Sequence, residues 1–100
     1  MAKLRFTRKA VEDLTGIWNY TADAWSESQA DEYYGMLIAA CRRIAENPSA
    51  AGRRYDEVAE GLFGVKAGRH ILFYRSADSG GVEIVRILHE RMDLKTKIGE

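Results

Sequence analysis

The chain has 100 residues, enough for one domain with a core of its own and too few for two. Fifteen basic and fifteen acidic residues cancel, which excludes the bulk basic excess that holds many proteins on nucleic acid. One cysteine, Cys41, excludes an internal disulfide and a cysteine metal cluster.

A hydrophobic share of 46% beside 30% charged residues is that of a soluble globular chain. No run approaches the roughly 20 apolar residues of a membrane span, and the N-terminal stretch lacks the apolar region of a signal peptide. The expected compartment is the cytoplasm, with no membrane contact.

Lys3 to Phe6 alternates basic and apolar residues, predicting a short strand. Thr7 then offers an N-cap. Val11, Leu14, Trp18, Thr21 and Trp25 recur at spacings of three and four, with Ile17 beside them, which predicts an amphipathic helix. Arg8 and Lys9 oppose the dipole of its first turn, a mismatch of about 1 kcal/mol at most, and read as a solvated basic edge. Ser26 and Gln29 have capping-box spacing, and Glu27 suits the positive end of a second helix. Its stripe is Ala30, Tyr33, Leu37, Ala40, Cys41 and Ile44. Asn47-Pro48 ends it, since the residue before proline is pushed out of the α region. Two such helices with almost no linker predict an antiparallel hairpin.

Ser49 to Glu60 carries charges of both signs and reads as a solvated connection, or as a partner-contacting loop. Three apolar runs follow, Leu62 to Lys66, Arg69 to Ser76 and Val82 to Leu88, separated by Ala67-Gly68 and by Ala77 to Gly81. They predict a three-stranded antiparallel meander. Arg91 to Ile98 reads as a short terminal helix or a tail.

Alternation along the meander sets Ile71 and Phe73 against Leu72 and Tyr74, and Ile84 and Leu88 against Val85 and Ile87. Both faces are then apolar, unlike a sheet with one solvated side. The helical hairpin covers one. A partner is expected on the other, with the chain's own tail as the alternative.

The chemistry is sparse. His70 and His89 lie on strands, where a structural role is the ordinary one. Motifs for a metal or a nucleotide phosphate are missing, and Ser76 and Ser79 lack a nucleophile's setting. Arg69, Arg75, Arg86 and Arg91, with Lys66 nearby, read as acid-pairing residues. The competing reading is a phosphate-binding cleft on the sheet.

Five words in order carry a resemblance across nearly the whole chain. They are F-T-R-K-A-V-E-D-L-x-x-I-W-x-Y from Phe6, W-S-E-S-Q-A-D-E-Y from Trp25, I-A-E-N-P from Ile44, G-R-H-I-L-F-Y-R from Gly68 and V-E-I-V-R-I-L-H-E-R-M-D from Val82. Together they resemble the ParE branch of the RelE/ParE toxin superfamily. The resemblance implies one α+β domain over residues 1–100, with a strand, a helical hairpin, a three-stranded meander and a short C-terminal tail or helix. It implies a non-enzymatic toxin of a type II toxin–antitoxin system, neutralised by a ParD-like antitoxin and directed at DNA gyrase through protein–protein contact. DNA enters only through the antitoxin, and neither a cofactor nor a small-molecule ligand is implied.

RelE-type relatives instead cleave mRNA on the ribosome, with basic residues and usually a late tyrosine or histidine. The neutral charge and the lack of a tyrosine after Tyr74 depart from that pattern; Arg75, Arg86 and His89 remain its candidate set. A non-toxic regulatory homologue is a third reading. Candidate antitoxin contacts are Leu14, Trp18, Tyr33, Leu37, Leu72 and Tyr74, with core packing competing for each. The family's toxic C-terminal segment corresponds to Arg91 onward, giving Arg91, Met92, Asp93, Lys95 and Lys97 as candidate target contacts.

Overall fold

Thr7 is where strand becomes helix, and it ties three parts of the fold together. Its hydroxyl oxygen accepts the Ala10 N–H at 3.1 Å, capping the first helix. The same hydroxyl donates to the Val85 carbonyl at 2.6 Å, and the Thr7 N–H donates to the Ile84 carbonyl at 3.0 Å. The computed structural model in which these contacts occur describes residues 3–48, 52–77 and 80–92.

The elements are β1 (Leu4–Phe6), α1 (Arg8–Ala24), α2 (Glu27–Glu46), β2 (Arg53–Arg54), β3 (Phe63–Ala67), β4 (His70–Ser76) and β5 (Val82–His89). Ser26 caps α2 by accepting the Gln29 N–H at 3.1 Å. The sheet has five strands in the order β1-β5-β4-β3-β2. It is mixed: β1 lies parallel to β5, and the other pairings are antiparallel. The expected three-stranded meander is thus widened at both edges. Gly81, at φ +81°, makes the β1 edge possible, because a Cβ there would collide with the Lys3 carbonyl oxygen. No such clash limits the neighbouring Val82, whose N–H bonds that same oxygen at 3.0 Å.

One face of the sheet carries the helical hairpin. Leu72, Tyr74, Val82, Ile84 and Ile87 pack there with Leu14, Leu37, Cys41 and Ile44 from α1 and α2. Strict alternation would put Ile84 and Ile87 on opposite faces. They share one because β5 has a bulge: Tyr74 pairs with Ile84 and Phe73 with Arg86, leaving Val85 as the extra residue. The Thr7 hydroxyl takes the carbonyl of that extra residue. The expected grouping of Ile84 with Leu88 is therefore corrected, and Val85 instead packs with Leu88.

The second face is also covered from within the chain. Tyr55, Val58 and Ala59 of the β2–β3 connection, with Leu62, pack over Ile71, Phe73 and Leu88. Tyr55 meets the Phe73 ring edge-on at 5.2 Å, and Phe73 is wholly buried. The connection holds its shape through Tyr55 N–H to Leu62 O (2.8 Å), Val58 N–H to Tyr55 O (2.9 Å) and Gly61 N–H to Asp56 (3.1 Å). The expectation that this face awaits a partner is corrected, as is the reading of the connection as solvated. Its charged residues face water, while the apolar ones between them recur at helix-turn spacing and turn inward.

Candidate functional site

Between the connected end of the hairpin and the ends of β4 and β5 lies a groove of about 1200 Å³. Its helix wall comes from Ile17, Tyr20 and Trp25 on the α1 side and from Tyr33 and Met36 of α2. The connection between the helices is too short to wrap back on itself. Trp25, the C-cap of α1, is consequently left 73% exposed, and Tyr20 is 72% exposed. Two large aromatic rings standing in water at a concave site are the mark of a surface that binds something. Trp18 does not line the groove. Its indole N–H donates to Asp31 at 2.9 Å and clamps the two helices together.

The sheet wall is polar. His70 of β4 stands directly opposite His89 of β5, their rings 5.4 Å apart and edge to face. The Tyr33 hydroxyl lies 2.6 Å from His70 Nδ1 and accepts the Arg69 N–H at 3.0 Å. Gly68, at φ +59°, makes that close approach possible, since a Cβ would run into the Tyr33 ring and Met36. Burial, followed by the neighbouring His89, pushes the His70 pKa below its ordinary 6.5, against a weaker opposing pull from Asp13 and Glu90. At the back of the groove Arg86 donates to Asp13 through Nε at 2.8 Å and through a terminal nitrogen at 3.1 Å.

Acidic Glu12 and Glu32 stand on the helix side of the groove and basic Arg69 on the turn side. An apolar floor with charges of opposite sign along its two edges suits an amphipathic peptide segment. Among the described residues, no group of three or more His, Cys, Asp or Glu is placed to hold a metal ion. Nor is any helix there long and apolar enough to cross a membrane.

The sequence-derived candidates divide sharply. Leu14, Leu37, Leu72 and Tyr74 are at most 5% exposed. They are core residues, the placement that competed with partner contact for each, and each would have to leave its packing to meet another chain. The Tyr74 hydroxyl is spent inside the fold, donating to the Pro48 carbonyl at 2.7 Å. Tyr33 does line the groove. Arg86 and His89 both line the groove, but Arg75 is not brought to them. Arg75 pairs with Glu83 (2.9 Å) near the opposite end of the β4–β5 ladder from His89, and Arg86 is held by Asp13. Arg91 and Met92 sit beside His89, with Met92 on the groove rim. Asp93, Lys95 and Lys97 lie outside the described residues.

The sequence reading missed Tyr20, Trp25, Met36 and His70 as groove residues. Trp25 had been counted into the helix stripe. Its position one residue before the second cap was the signal that it lies beyond the core.

Residues 4–94 match the family model described as ParE toxin of type II toxin-antitoxin system, parDE. The chain is 43% identical over 81 residues to Toxin ParE1 of Mycobacterium tuberculosis, covering 81% of this chain and 82% of that protein. It is 34% identical to Toxin ParE1 of Caulobacter vibrioides over 99 residues, spanning 99% of this chain and all of that one. Among solved structures, the fold is similar to the chromosomal ParDE system of P. aeruginosa, with a TM-score of 0.79 at 20% identity and coverage of 89% and 96%. A chain of the toxin–antitoxin complex RelBE2 from Mycobacterium tuberculosis superposes with a TM-score of 0.68 at 21% identity, covering 89% and 98%. With the matched family model spanning nearly all of the sheet and hairpin, this chain belongs to the ParE toxin family of type II toxin–antitoxin systems.

Proposed function

We propose that this toxin is held inactive by a ParD-like antitoxin seated in the groove, and that the free toxin inhibits DNA gyrase by protein–protein contact. The observation that carries the first half is the exposure of Trp25 and Tyr20 over an apolar floor with charged edges. An amphipathic segment of the antitoxin buries both rings and matches Glu32 on one side and Arg69 on the other. Both solved neighbours come from toxin–antitoxin systems, which supports an antitoxin as the occupant.

The gyrase half rests on family membership, on the separation of Arg75 from Arg86 and His89, and on the engagement of Arg86 by Asp13, which weigh against a nucleolytic centre made from the three. The test is direct. Purified toxin is added to gyrase, with supercoiling and cleavage complexes read on gels and with antitoxin restoring activity. Trp25→Ala should weaken antitoxin binding by roughly tenfold or more, as truncation of a central interface tryptophan does. Undisturbed supercoiling at saturating toxin, together with new codon-specific mRNA ends after induction, would replace gyrase by the ribosome-dependent reading.

A further inference from the structure

The charged groups that line the groove are unequally engaged within the fold. Asp13 and Arg86 hold each other, and Glu12 pairs with Arg8 at 3.4 Å. Glu32 of α2 and Arg69 of the β3–β4 turn also line the groove and are exposed. Neither is in an ion pair among the described residues. Glu90 feels the charge of Arg69, but its carboxylate is held by Lys66 at 2.8 Å. One negative and one positive charge are thus left for an occupant to answer.

The two are also tied to one frame. Glu32 is the chain neighbour of Tyr33 on α2, and the Tyr33 hydroxyl accepts the Arg69 N–H at 3.0 Å. The Arg69 carbonyl accepts the Glu90 N–H at 3.0 Å, so its backbone is anchored on both sides. The turn that carries the guanidinium is therefore fixed to the helix that carries the carboxylate.

The helix wall keeps one sign well beyond Glu32. From Ala10 to Cys41 the chain carries six acidic residues and no lysine or arginine. A zero net charge therefore hides a hairpin that is acidic over most of both helices. Its field attracts a basic flank to the helix side of the groove, while Arg69 attracts an acidic one to the turn side.

We propose that Glu32 and Arg69 are the specificity-determining residues of the groove, admitting an amphipathic antitoxin segment that sets a basic residue against Glu32 and an acidic residue against Arg69. The proposal rests on the groove being the antitoxin's seat. Trp25 and Tyr20 offer apolar area to any apolar segment. The two charges discriminate. Covering either with an apolar or like-charged group strips its water and returns nothing, which weakens wrong registers, reversed orientations and foreign antitoxins.

The experiment measures the dissociation constant of the purified ParD-like antitoxin for wild type, Glu32→Lys, Arg69→Glu and Asp23→Lys at about 150 mM salt. Asp23 is an exposed acid of α1 outside the groove lining, so its reversal makes the same change in net charge as Glu32→Lys. Glu32→Lys and Arg69→Glu should each weaken binding by roughly hundredfold or more, as like charges set against each other in an interface do. Asp23→Lys should stay within about threefold of wild type, since salt screens exposed charges beyond about 8 Å. Should a reversal fail to fold, Glu32→Gln or Arg69→Gln takes its place, with a loss of roughly tenfold expected.

Antitoxin variants displayed on phage and selected on each reversed toxin form the second arm. Glu32→Lys should select a basic-to-acidic change and Arg69→Glu an acidic-to-basic change, at two different antitoxin positions. Losses no greater than that of Asp23→Lys overturn the proposal while leaving the groove as the site. Selected antitoxins without those charge changes, or one change that rescues both toxins, overturn it as well. An unchanged affinity in Trp25→Ala removes the seat, and the specificity reading with it.

Discussion

Asp13 of α1 holds β5 at three points with one carboxylate. It accepts Arg86 Nε at 2.8 Å, a terminal Arg86 nitrogen at 3.1 Å and the Ile87 backbone N–H at 3.0 Å. The pair is largely sheltered, with side-chain exposures of 11% for Arg86 and 15% for Asp13. It lies directly after the Val85 bulge, where the ladder to β4 is broken and the backbone of β5 needs another anchor. One side chain therefore fixes the helical hairpin to the strand that carries His89 on the groove's sheet wall.

Asp13→Ala should cost roughly 2–4 kcal/mol in denaturant unfolding, because it removes a two-point acceptor from a sheltered guanidinium and leaves the Ile87 N–H without its carboxylate. Glu12→Ala, one residue away but in an exposed pair with Arg8, should change stability by about 0.5 kcal/mol or less. Equal effects from the two substitutions would show that Asp13 is an ordinary surface carboxylate.

Leu37 and Trp25 separate packing from binding. Leu37 is wholly buried beneath the hairpin, and Leu37→Ala should lower stability by roughly 2–5 kcal/mol through lost burial and an unfilled cavity. Trp25→Ala removes a larger ring from the surface and should move unfolding by only about 0.5 kcal/mol. Thermal melts of both variants, set beside their antitoxin affinities, check the assignment. A Trp25→Ala toxin as unstable as Leu37→Ala would place Trp25 in the core.

Cys41 is buried in the hairpin–sheet core, and burial pushes its thiol pKa up to about 11. At pH 8 the native thiol should resist iodoacetamide and react only at the rate of unfolding, as mass spectrometry of the alkylated chain would record. The same shift makes stability depend on pH. The raised folded pKa leaves stability intact below the unfolded value near 9 and removes it progressively as pH rises toward 11. Cys41→Ala should flatten that alkaline slope, and a slope identical to wild type would assign it elsewhere.

The helix boundaries were legible because their signals are local. Thr7 and Ser26 each cap the helix predicted for them, and Asn47-Pro48 stops α2 where the proline rule puts the stop. The strands of the meander also appear where the apolar runs fall, with ends shifted by a residue or so. Of the groove's lining, the sequence named Tyr33 as a candidate antitoxin contact and Met92 as a candidate target contact, and it named Tyr20, Trp25, Met36 and His70 for neither. A helix stripe names the residues that avoid water together without saying where along the helix the core stops. Leu37 and Trp25 look alike in the stripe and differ from buried to largely exposed in the fold.

By itself, then, the chain determined its order of elements, its α+β class and its family resemblance, since capping, periodicity and word order are properties of neighbouring residues. Tertiary structure alone decided four things. The bulge at Val85 put Ile84 and Ile87 on one face. The folding of Tyr55, Val58 and Ala59 closed the sheet's second face. The short hairpin connection left Trp25 standing over a groove. The pairing of β4 with β5 brought His70 against His89. Each depends on register or packing between segments distant in the chain, and a pattern read along one segment carries no term for that.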